Sequence, residues 1–106
     1  MNYTVLFAPR AHGQLDKLDT DISAAASAEI AARYTDAITD YCYSLATFPH
    51  RGARRDDIRP GVRITNYRKR TIIAFAVDDS AGIVLILGVF YGGQDYETRL
   101  ATDLDD

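Results

Sequence analysis

The chain is poor in cysteine, in long apolar runs and in clustered metal ligands, and each shortage removes a class of protein. Cys42 is the single cysteine in 106 residues, which excludes an intramolecular disulfide framework and any zinc site built on several thiolates. It also suits a reducing compartment, and a cytoplasmic location is expected. No window approaches the roughly 20 apolar residues of a spanning helix. The opening MNYTVLFAPR lacks a basic start before an apolar run, so neither a signal peptide nor membrane attachment is expected. His12 and His50 stand far apart with no carboxylate or cysteine at ligand spacing, so no metal or other cofactor is expected. Gly92 and Gly93 are followed by no helix carrying Lys and Ser/Thr, so they make no nucleotide cradle. Repeats and low-complexity segments are also missing. What remains fits one domain over residues 1–106, long enough to bury a core without staples.

Charge is distributed unevenly. The net charge is −3, yet residues 49–70 hold seven arginines and Lys69 against only Asp56 and Asp57, a local excess of +6. The other 84 residues carry −9 and finish in the acidic run Asp103, Leu104, Asp105, Asp106, which reads as a solubilising end. Function is therefore sought near the basic segment.

Periodicity predicts an α+β fold. Tyr3, Val5 and Phe7 alternate as a short strand that Pro9 stops. Ala11, Leu15, Leu18 and Ile22 mark a helix over about 9–25. Ser27 is positioned to cap a second helix, with a stripe of Ala31, Tyr34, Ile38, Tyr41, Cys42 and Leu45 and an end near residue 47. On that stripe Cys42 reads as a small core residue, and Tyr34 and Tyr41 as packing groups. PHRGARRDDIRPG, residues 49–61, lacks either period and reads as a loop. A strand through Val62, Ile64 and Tyr67, a basic turn over 67–70, a strand over 71–77, a turn over 78–82 and an apolar strand over 83–91 follow. A short helix is expected over 95–100. The result is a largely antiparallel sheet, made of a strand, a helical hairpin and a three-strand meander, with both helices packed on one face. One hairpin covers one face. Strict alternation places Ile83, Leu85, Leu87 and Val89 on one side of the last strand and Val84, Ile86 and Phe90 on the other, so a protein partner is expected to cover the second.

Arg51, Arg54, Arg55, Arg59 and Arg63 admit two readings. They form either a solvated loop tethered to Asp56 and Asp57, or an anionic landing surface that uses the planar guanidinium fork. Two acids cannot neutralise eight bases. The acidic total and the lack of interleaved aromatics argue against autonomous, sequence-specific nucleic-acid binding.

The sequence resembles the ParE branch of the RelE/ParE toxin superfamily, the toxin half of bacterial type II toxin–antitoxin pairs. The likeness begins at YTVLFAPRAHGQLDKL and CYSLATFPHRG and is most specific at RRDDIRPGVRITNYRKRTIIAF and VFYGGQDYE. It implies the fold just derived and an antitoxin of the ParD type that folds across the toxin. It further implies a non-enzymatic poison of DNA gyrase. Candidate target contacts are Arg54, Arg55, Arg59, Arg63, Arg68, Tyr91 and Tyr96; candidate antitoxin contacts are Leu85, Leu87, Val89 and Arg51. The RelE branch instead cuts messenger RNA on the ribosome, with basic groups holding phosphates and a tyrosine assisting proton transfer. Arg63, Arg68 and Tyr91 keep that alternative open. Gly88 departs from the pattern, standing where related toxins commonly carry a basic residue; it lowers the ribonuclease reading and raises a third, a detoxified antitoxin-binding module.

Overall fold

The computed structural model describes residues 2–102; the acidic run at 103–106 lies outside them. In chain order come β1 (Thr4–Phe7), α1 (Pro9–Ala25), α2 (Ala28–Ser44), β2 (Ala53–Arg54), β3 (Val62–Tyr67), β4 (Thr71–Asp78), β5 (Ile83–Tyr91) and α3 (Tyr96–Thr102). Local chemistry accounts for the helix starts. Pro9 occupies the first turn of α1, where its missing donor costs nothing. Ser27 Oγ accepts the Ile30 amide at 3.1 Å and caps α2. Helix α2 stops three residues before the expected end and continues as a tight turn, Thr47 N donating to Ser44 O at 3.2 Å.

The five strands lie in the order β1-β5-β4-β3-β2. Strand β5 is flanked by β1 in parallel and β4 in antiparallel pairing, so its apolar sequence matches an interior position. The two-residue β2 was not visible in the loop's composition. It forms because Ala53 and Arg54 find Ile64 and Arg63 across an antiparallel edge.

The hairpin α1–α2 closes one face of the sheet. Ala11 and Leu18 of α1 and Ile38 and Cys42 of α2 meet Ile73, Phe75, Val84, Ile86 and Val89. The second face differs from expectation in two ways. It is covered in large part by the chain itself: Leu100 of α3 is fully buried with Val62, Ile64, Ala74 and Phe90, and Ile58, Leu87 and Tyr96 pack at their margin. The short terminal helix supplies part of the cover expected of a partner.

Strict alternation along β5 also fails. Ala74 pairs with Gly88 but Phe75 pairs with Ile86, leaving Leu87 unmatched as a β-bulge. A bulge inserts one residue and reverses the parity of the strand. Leu87 therefore joins the second core, whereas Val89, two residues on, is buried under the hairpin. Leu85, Leu87 and Val89 do not share a face.

Candidate functional site

The basic segment is shaped first by backbone requirements. Gly52 has φ 79°, and a Cβ there would collide with the Ile64 carbonyl. Glycine thus allows β2 to lie against β3. The chain then turns, with Arg55 N donating to Val62 O at 2.8 Å and Val62 N to Arg59 O at 3.2 Å.

On this frame the acids select particular arginines. Arg54 grips Asp56 through two bonds of 3.1 and 3.2 Å. Arg55 grips Asp57 through bonds of 3.0 and 2.9 Å, reaches Glu97 Oε2 at 2.6 Å, and donates to the Tyr96 hydroxyl at 3.3 Å. Arg55 is thereby the clasp that ties the loop to α3. Its guanidinium is held protonated more firmly than usual, first by Asp57 and then by Glu97. Asp57 is held below the usual carboxylate range chiefly by Arg55, and Asp56 chiefly by the Gly61 amide, which donates at 2.8 Å, and then by Arg54.

Arg63 has a different task. It donates to the carbonyls of His50 at 2.7 Å and Arg51 at 3.1 Å, binding the loop to β3. Arg51 lies over the rings of Tyr41, at 5.3 Å, and Phe48, at 5.5 Å. Phe48 is 61% exposed, so this pair presents an apolar and cationic surface together. Arg59 is half-buried and makes no ion pair among the described residues. Arg68 sits apart, in the β3–β4 turn, over the Tyr67 ring. Tyr96 packs on Phe90 beside the clasp, whereas Tyr91 faces the hairpin and meets Tyr34 edge-on at 5.7 Å. The structure therefore brings Arg54, Arg55 and Tyr96 into one region and leaves Arg68 and Tyr91 outside it.

Position 88 is tightly bounded. A Cβ on Gly88 would lie 2.6 Å from the Phe90 ring and 3.3 Å from Gln14 Oε1. Any side chain at 88 would have to displace the buried Phe90, so the absent basic group is built into the packing. Cys42 is fully buried, and burial pushes its thiol up to about 12; it stays protonated at neutral pH and is no nucleophile.

Two features escaped sequence reasoning. Glu97, 42 residues from Arg55, completes the clasp, and no local pattern links them. Leu6, 46% exposed, pairs in register with half-buried Leu85 on the part of the second face away from α3. The parallel pairing of β1 and β5 would have revealed it.

A family model described as the ParE toxin of the type II toxin–antitoxin system, parDE, matches residues 5–96. The chain belongs to the ParE toxin family. This ParE-family toxin is also similar to a chain of the chromosomal ParDE toxin–antitoxin system from P. aeruginosa, with a TM-score of 0.73, 20% identity, and 85% of this chain and 96% of that chain covered. A chain of the toxin–antitoxin complex RelBE2 from Mycobacterium tuberculosis matches with a TM-score of 0.63 and 23% identity, covering 86% and 99% of the two chains. A mutant E. coli RelE toxin in the free state matches with a TM-score of 0.68 and 15% identity over the full length of both. No curated protein matches the sequence. The ParE-family fold is thus shared with a RelE toxin, and fold alone does not choose between activities.

Proposed function

We propose that this toxin inhibits DNA gyrase and so blocks replication, performs no bond-breaking chemistry itself, and is neutralised by a ParD-type antitoxin. The observation that carries the reading is membership of the ParE family over residues 5–96. The environment of the basic groups supports it. Cleavage of RNA requires cations free to hold phosphate and a proton donor or acceptor at the reacting atoms. Of the groups the RNA-cleaving alternative would draw on, Arg63 is engaged by loop carbonyls, Tyr91 packs edge-on against Tyr34 and position 88 has no room for a side chain, which leaves Arg68, among the described residues, as the one unpaired cation of the set. A protein target needs only accessible groups, which exposed Phe48 beneath half-buried Arg51, and exposed Arg54, supply. For the antitoxin, Leu6 and Leu85 form an apolar anchor on the uncovered part of the second face, with Leu87 at its margin; Arg51, over Tyr41 and Phe48 beyond the end of α2, is a separate contact, and buried Val89 contributes only through the core.

The purified chain tests this in a gyrase assay on relaxed plasmid. Supercoiling is expected to fall and cleaved plasmid to accumulate, both reversed by antitoxin. Unaffected gyrase, together with codon-phased cleavage of messenger RNA on translating ribosomes, would replace this reading with the RelE one. Unaffected gyrase with intact messenger RNA and no growth arrest on expression would leave the detoxified binding module.

A further inference from the structure

The turn between β3 and β4 consists of Arg68, Lys69 and Arg70, three exposed cations in succession. None forms an ion pair among the described residues. Arg68 has φ 53° and Lys69 φ 66°, in the left-handed region that strains any residue with a Cβ. Hairpin turns of this handedness ordinarily use Asn or Gly. Here two long cationic side chains are kept in spite of the strain, which points to a use for the side chains.

Beside the turn, between α2 and β3, is a hollow of about 240 Å³ lined by Ile30, Arg33, Tyr34, Ala37, Tyr67 and Arg68. Its two tyrosine walls are held by the fold. The Tyr34 hydroxyl shares a 3.1 Å hydrogen bond with Thr71 and its ring meets Tyr91, while the Tyr67 ring lies 5.1 Å from Tyr41. Ile30 is 49% exposed at the edge. Arg33 approaches an acid only through Glu29, at 4.0 Å with both side chains largely in water, an interaction weak enough to be exchanged. An apolar, aromatic-walled groove is thus rimmed by Arg33 and Arg68, with Lys69 and Arg70 beyond.

We infer that this groove is a docking site for an acidic peptide segment of a partner protein. One bulky aliphatic side chain of the segment enters between Ile30, Tyr34 and Tyr67, and its carboxylates meet Arg33 and the Arg68–Lys69–Arg70 turn. Aliphatic lining from Ile30 and Ala37 suits a leucine-like side chain, and guanidinium forks pair with carboxylates in a bidentate manner. The aliphatic lining from Ile30 and Ala37 favours a peptide side chain over a nucleobase in the same place. Tyrosines already held in place lose little freedom on binding, so their contact area is used efficiently. This surface is separate from the anchors at Leu6 and Leu85, and the inference does not depend on gyrase as the target.

The test is fluorescence anisotropy of the full chain with a labelled dodecapeptide of glutamates bearing two central leucines, at about 0.1 M salt. Saturable binding is expected, about tenfold weaker when the leucines become serines, and several-fold weaker for the Ile30→Ser variant. The double variant Arg68→Gly, Lys69→Gly is the decisive one. Glycine relieves the left-handed strain, so its melting temperature should equal or exceed that of the parent while peptide affinity falls about tenfold. Undiminished affinity in that stable variant would overturn the inference. So would equal binding of the serine peptide, tighter binding of an oligothymidylate of the same length, or no peptide binding up to about 100 μM, an affinity weaker than about 5.5 kcal/mol.

Discussion

The two faces of the sheet are closed by different means. On one, the long helices α1 and α2 bring continuous apolar stripes to Ile73, Phe75, Val84, Ile86 and Val89. On the other, the seven-residue α3 and the loop over 55–61 cover Val62, Ile64, Ala74 and Phe90, with Leu100 as the buried anchor and Arg55 as the clasp. A helix of seven residues does not stand alone in water, so the order of α3 rests on that anchor and clasp. The first face is thus a core that holds the molecule together. The second is a hydrophobic patch closed by one short helix and a loop, and units of that kind are expected to open before a core of long helices.

The largest effect should come from breaking the first face. Phe75 is fully buried, and Phe75→Ala should lower global stability by about 3–5 kcal/mol in urea unfolding. Leu100→Ala is expected to cost less, about 2 kcal/mol at the lower end of buried leucine truncations. Its mark should be regional, with faster amide exchange in α3 and the 55–61 loop while α2 and β4 stay protected. Equal loss of protection in α2 would mean that the two faces unfold as one unit. Gly88→Ala sharpens the contrast from inside the second face. The added methyl must displace the Phe90 ring, for about 1–2 kcal/mol of overpacking, with no comparable change in exchange at α2.

The smallest effect is electrostatic. Asp56 and Asp57 are held below the ordinary carboxylate value. Their stabilisation is therefore complete above the unfolded value near pH 4 and disappears as pH falls through the lower folded values. All the clasp carboxylates are substantially solvent-exposed, so the contribution is small and screened by salt. Protection of α3 should decline below about pH 4, and Asp57→Asn should flatten that decline. A decline unaltered in Asp57→Asn would assign it to other carboxylates.

By itself the sequence determined what depends on neighbours along the chain. The Ser27 cap, Pro9 at the start of α1, the apolar stripe through Ile38 and Cys42, and the uninterrupted apolar run of β5 are local signals, and each element stands within a few residues of where they point. The concentration of basic groups in residues 49–70 was equally legible, because charge needs no partner to be counted. Only the tertiary structure decided how those groups are used. Which arginine meets Glu97, which holds carbonyls and which stay unpaired depends on distances between segments far apart in sequence. The bulge at Leu87 is of the same kind: it arises from the register between two strands, and one unmatched residue was enough to separate Leu87 from Val89 and undo an alternation that the sequence alone made plausible.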